Sequence, residues 1–163
     1  MRKQILLLLF LLLFTTELTA QNQLPDLKIK TLNDKEVNIK KKTEKGTYLI
    51  NFWATWCIPC INELELLSDV YDEWGDELNI KIIAVSIDDS RTLSKVAPLV
   101  NGKGWEFDIL SDSNHDLKRA LNISGIPYTI IVKNGKIRYK NTGYTPGYED
   151  TIYQILKNII SDL

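Results

Sequence analysis

The 163-residue sequence predicts an α/β domain: a central mixed sheet flanked by helices and preceded by a β-hairpin. Three observations predict it. Short apolar, β-rich runs alternate with segments whose apolar residues recur every three or four positions, the pattern of strand–helix–strand units around a parallel centre. Asn134-Gly135, set between two such runs, adds an antiparallel hairpin at one edge. The overall balance is that of a single globular domain with a core, with 44% apolar and 25% charged residues. Lys plus Arg number 20 against 21 Asp plus Glu, a net charge of −1, so no nucleic-acid partner is expected.

The elements follow in order. Met1-Arg2-Lys3 is a short basic start, and Ile5 to Phe14 are ten unbroken apolar residues that stop at Thr15-Thr16-Glu17. A spanning helix needs about 20 such residues. With the small Ala20 at its end, residues 1–20 read as a secretory signal peptide, although Leu18 stands where a small residue is usual. Residues 21–163 are then the exported, extracytoplasmic domain. Membrane contact is expected only through the leader, should it stay uncleaved.

Leu27 and Ile29 alternate with lysines, and Val37 and Ile39 alternate again after Asn33-Asp34, which predicts the N-terminal hairpin. Lys40 to Gly46 read as a solvated loop. Thr47 to Ala54 form a buried central strand. A helix follows the cysteine pair to about Trp74, its apolar face carried by Ile61, Leu64, Leu67, Val70, Tyr71 and Trp74, with Gly75 as its stop. Ile80 to Ile87 are the next strand. Asp88-Asp89-Ser90 would cap a helix over about 91–100 that Pro98 ends or kinks. Glu106 to Leu110 predict a short strand and His115 to Leu121 a helix, with His115 a helix-start residue rather than a catalyst. Tyr128 to Lys133 and Lys136 to Lys140 flank the Asn134-Gly135 turn, and Ile152, Ile155, Leu156, Ile159 and Ile160 form one face of a last helix.

Chemistry concentrates at Cys57-Ile58-Pro59-Cys60, where a buried strand gives way to a helix. Pro59 suits the first helical turn. Cys57 then stands at the helix N-terminus, where unpaired N–H groups and the dipole favour a thiolate. Cys60 lies about one turn further in and is the more buried. One activated, exposed sulfur and one shielded sulfur are what thiol–disulfide exchange needs: Cys57 attacks and Cys60 resolves. Three other readings compete. A structural disulfide would close a very small loop and stabilise little. A zinc half-site would need two more ligands, with His115 the only histidine. Haem attachment needs a histidine after Cys60, and Ile61 stands there. No metal and no cofactor are expected.

Asn51-Phe52-Trp53-Ala54-Thr55-Trp56-Cys57-Ile58-Pro59-Cys60 resembles the active-site segment of thioredoxin-like proteins, above all exported TlpA/ResA-type thiol-disulfide oxidoreductases. The likeness runs from Leu24-Pro25-Asp26 to the last helix and includes the N-terminal hairpin and a central insert near residues 89–122. It implies the thioredoxin-like fold, a redox-active Cys57–Cys60 disulfide and protein thiols or disulfides as substrates. It also implies a membrane thiol protein as electron donor and service to cytochrome c maturation. The buried aspartate of cytoplasmic thioredoxin is replaced by Asn51, and the lysine opposite it by Ala84. In the resembling type, a glutamate three residues after the second cysteine fills a comparable role. Here that is Glu63, on one helix face with Cys60 and a candidate for handling its proton; the alternative is a surface glutamate near a helix N-terminus.

Pro127 falls where the resemblance places a cis-proline facing the cysteines, with the Ile126 backbone available to an extended substrate segment. Trp56 would wall the sulfur, and Trp53 belongs to the core. The x-Pro filling resembles reducing members, whose potential lies nearer the roughly −270 mV of thioredoxin than the about −120 mV of strongly oxidising relatives. Two other functions compete. A thiol peroxidase usually has a proline seven residues before its cysteine, and Ile50 holds that place. A non-catalytic exported binding module would keep the pair only as a staple.

Overall fold

The computed structural model describes residues 22–162. The expected leader, residues 1–20, lies outside them. The described residues form one seven-stranded sheet in the order β2-β1-β5-β4-β3-β6-β7. Its strands are β1 Lys28–Thr31, β2 Glu36–Asn38, β3 Thr47–Trp53, β4 Ile80–Ser86, β5 Asp108–Ser111, β6 Tyr128–Lys133 and β7 Lys136–Thr142. The helices are α1 Ile39–Lys42, α2 Ile58–Asp69, α3 Tyr71–Leu78, α4 Val96–Lys103, α5 Asp116–Ala120 and α6 Tyr148–Ser161. Strands β3, β4 and β5 run parallel, and the flanking pairs β3–β6, β6–β7, β1–β5 and β1–β2 are antiparallel. The sheet is therefore mixed, as the sequence predicts. The segment between β4 and β6 adds β5 to the sheet and carries α4 and α5.

Every residue of β3 is buried, which places it at the centre of the core. The β6–β7 turn is made by Asn134 at φ 50° and Gly135 at φ 75°, and the Asn134 Oδ1 accepts from the Gly46 N–H at 3.0 Å.

Four local expectations are corrected. The lysine run is not all loop: Asn38 accepts from the Lys41 N–H at 2.9 Å and caps the single turn α1. Gly75 does not stop its helix. The chain breaks at Val70 between α2 and α3, and α3 runs through Gly75 until Asn79 caps it at φ 50°, because Trp74 and Leu78 continue the buried face. Pro98 neither ends nor kinks α4. A 3-10 turn, Leu93–Lys95, comes first, and Pro98 is the third residue of α4, where its missing N–H has no partner to lose. Asp88 caps no helix; its carboxylate serves the active-site loop.

Candidate active site

The C-terminal end of β3 and the N-terminal end of β6 lie side by side, with Phe52 paired to Tyr128. From β3 the chain turns through Ala54-Thr55-Trp56, closed by a hydrogen bond from the Cys57 N–H to the Ala54 carbonyl at 3.0 Å, and enters α2. Cys57 is the N-cap of α2, with φ −98° and ψ 93°, and Pro59 occupies the first turn. Cys57 and Cys60 are joined by a disulfide with their Cα atoms 5.3 Å apart. Cys60 is fully buried, and Cys57 is 6% exposed. The sequence expects a more exposed Cys57; in the disulfide-bonded protein the residue is buried. The exposed surface belongs to its neighbours, Trp56 at 59% and Ile58 at 65%. Trp53 is fully buried and packs edge to face on Trp105, ring centroids 5.2 Å apart.

Asp88 braces this loop from behind. Fully buried, it accepts from the Thr55 N–H at 2.9 Å, the Thr55 hydroxyl at 2.6 Å and the Ser86 hydroxyl at 2.8 Å. Sequence reading missed this role, since an Asp-Asp-Ser run resembles a helix cap and Thr55 lies 33 residues away. Its neighbour Asp89 holds the following turn by accepting from the Arg91 N–H at 3.0 Å. His115 sits at the start of α5 with φ 60°, and its Nε2 is 2.8 Å from the Ile87 carbonyl oxygen.

Glu63 is on the buried side of α2, one turn past Cys60 and only 2% exposed, so it is not a surface glutamate. Its Oε1 accepts from the Thr129 hydroxyl at 2.9 Å, and that hydroxyl accepts from the Asn51 Nδ2 at 2.9 Å. Glu63 Oε2 and Asn51 Oδ1 have no hydrogen-bond partner. Burial pushes the Glu63 carboxyl above the usual carboxylate range, and the Thr129 hydroxyl and Asn51 amide hold it back. Thr129 is the second residue of β6, directly opposite Asn51 on β3. The Ile126–Pro127 peptide bond immediately before β6 is cis. Pro127 is buried and Ile126 half-buried, and the Pro127 carbonyl accepts from the Gly143 N–H at 2.8 Å. One end of the sheet thus gathers Cys57, Cys60, Glu63 and the Ile126-Pro127 pair. Asn51 and Thr129 were not expected as partners of Glu63, because nothing local in the sequence joins positions 51, 63 and 129.

Residues 20–140 match the AhpC/TSA family. The chain is 30% identical over 154 residues to the thiol-disulfide oxidoreductase ResA of Geobacillus thermodenitrificans, covering 88% of this chain and 86% of that protein. The chain belongs to the AhpC/TSA family, among its ResA-type members. Solved structures agree on the fold. The solution structure of an uncharacterized thioredoxin-like protein from Porphyromonas gingivalis aligns with TM-score 0.75 at 42% identity, covering 85% of this chain and 92% of that one. A putative thiol:disulfide interchange protein DsbE from Chlorobium tepidum aligns with TM-score 0.75 at 19% identity, covering 86% and 96%. The fold is thioredoxin-like, and the protein is a thiol-disulfide oxidoreductase. Among the described residues, no helix is long and apolar enough to cross a membrane.

Proposed function

We propose that this ResA-type protein is exported by residues 1–20 and reduces disulfides of other proteins outside the cytoplasm. Cys57 attacks the substrate disulfide, forming a Cys57–substrate disulfide and releasing one substrate thiol. Cys60 then attacks Cys57, which forms the Cys57–Cys60 disulfide and releases the second substrate thiol. Two electrons pass from the dithiol to the substrate, and a membrane thiol protein returns them. Glu63 takes the Cys60 proton in the second step. Trp56 and the Ile126-Pro127 backbone receive an extended substrate segment. Apocytochrome c disulfides, reduced to thiols before haem attachment, are the substrates favoured by the ResA likeness.

One observation carries this reading: a cysteine pair at a helix N-terminus, with the inner sulfur fully buried and apolar Trp56 and Ile58 exposed on either side of the outer one. An exposed apolar rim around a reactive group suits a macromolecular substrate. The test is a Cys60→Ser variant expressed in the source bacterium. Mixed disulfides through Cys57 to discrete proteins are expected in the extracytoplasmic fraction, and they vanish in the Cys57→Ser/Cys60→Ser double variant. Adducts that persist in the double variant, or none in the single one, refute it.

A further inference from the structure

The buried polar chain behind the disulfide has a direction. A threonine hydroxyl has one proton to give. Thr129 gives it to Glu63 Oε1 and uses a lone pair to accept from Asn51 Nδ2. With Glu63 ionised, a turned-over Asn51 amide would leave two oxygens competing for that one proton, so the order Asn51 to Thr129 to Glu63 is that of the charged carboxylate. All three side chains are at most 2% exposed. Glu63 Oε2 is left with no donor. A buried carboxylate oxygen without a donor is costly, which makes Oε2 the atom that gains most from a proton.

The chain also joins the three segments that meet at the disulfide. Asn51 lies on β3, which leads into the Cys57 loop; Thr129 lies on β6, two residues after Pro127; Glu63 shares the buried face of α2 with Cys60. We infer that Thr129 and Asn51 are positioning residues for the exchange reaction: they hold the Glu63 carboxyl beneath the Cys60 turn and assign its proton to Oε2. The inference rests on the proposed role of Glu63. When Cys60 attacks Cys57, the Cys60–Cys57 bond forms and the Cys57–substrate bond breaks. The Cys60 proton passes to Glu63 Oε2, and the substrate leaves as a thiolate that takes a proton from water. The hydrogen-bonded neighbours of the carboxyl on β3 and β6 are the neutral Asn51 and Thr129, Cys60 lies one turn earlier on the same buried face of α2, and Glu149 of α6 acts on Tyr144 nearby. From the α6 side the phenols of Tyr144 and Tyr148 feel the Glu63 charge, and both are raised above the ordinary tyrosine value, chiefly by burial, which keeps them neutral.

The test follows the two thiol releases when the reduced protein meets a dithiobis-nitrobenzoate disulfide, the first made by Cys57 and the second by Cys60. The Glu63 carboxyl is titrated in parallel by carbon NMR on the oxidised protein. Thr129→Val removes the donor that favours the charged carboxyl. The Glu63 titration and the pH profile of the second release should both move to higher pH, slowing that release about tenfold at a fixed pH below the midpoint. Thr129→Ser should restore both, and Asn51→Ala should move both in the same direction by less. If Glu63→Gln slows the second release while Thr129→Val leaves titration and profile unmoved, the positioning role is wrong and the Glu63 reading stands. If Glu63→Gln leaves the second release and its pH profile unchanged, the Glu63 reading fails. Should Thr129→Val not fold, an unmoved titration in Asn51→Ala overturns the inference.

Discussion

Asp88 and Glu63 are carboxyl groups buried at the same end of the sheet, one behind the loop that leads to Cys57 and the other beneath Cys60, and their surroundings differ in one countable respect. Asp88 accepts three hydrogen bonds, from the Thr55 N–H and the hydroxyls of Thr55 and Ser86. Glu63 accepts one from the Thr129 hydroxyl and has an oxygen with no partner. A buried acid surrounded by donors fixes backbone. A buried acid short of donors gains from binding a proton, and burial raises Glu63 accordingly. In this pair the acid with three donors braces the loop, and the acid with one has an oxygen left to take a proton.

The largest effect that would break this contrast comes from Asp88. Asp88→Ala leaves one N–H and two hydroxyls without their acceptor at a buried to half-buried site, at a cost of about 3 kcal/mol. Urea unfolding should show a midpoint lowered by a corresponding amount at unchanged slope, and alkylation of the reduced protein should show a loosened Cys57 loop. A loss no greater than that of an exposed-surface substitution would remove Asp88 as the brace.

The contrast also marks where sequence reading stops. Cys57-Ile58-Pro59-Cys60, the central strand before it and the Asn134-Gly135 turn are written in contiguous residues, and local rules of capping, alternation and turn chemistry suffice for them. Asp88 is misread because two of its three donors come from Thr55 across two parallel strands, and a local pattern of Asp, Asp and Ser offers a cap instead. Gly75 and Pro98 fail for a related reason. Their usual effects depend on position within a helix, which Asn79 and the 3-10 turn at Leu93–Lys95 set here. The Asn51–Thr129–Glu63 chain is the least legible of all, since it requires the β3–β6 register and the face of α2 at once.

Asp112 lies between the two extremes. It is 3% exposed, and it accepts from the Leu117 N–H at 3.1 Å and the Lys118 N–H at 2.8 Å, which ties the loop before α5 to the helix. Burial raises its pKa, and the N–H groups of Lys118, Leu117 and Asp116 oppose the rise. With backbone donors it should act mainly as a brace. Asp112→Ala should cost about 1 kcal/mol, the usual value of a helix-terminal side-chain bond, read as a shift in the urea midpoint. A loss as large as that of Asp88→Ala would show that donor count does not rank these sites.

The smallest expected effect has the opposite sign, and it tests the contrast most directly. Burial places the folded-state pKa of Glu63 above its unfolded value of about 4.3. The folded protein therefore keeps this proton where the unfolded chain has released it. The stability this confers is complete below about pH 4 and is lost as pH rises through the folded-state value. In Glu63→Gln the side chain is neutral throughout, so that loss disappears. Oxidised wild type and variant should differ little in urea midpoint at the acid end and diverge as pH rises, with the variant the more stable, until the difference levels off above the Glu63 titration. Asp112 titrates in both proteins and cancels in the difference. Parallel curves would mean that Glu63 binds its proton no more tightly folded than unfolded, and the unpartnered Oε2 would then carry no chemistry.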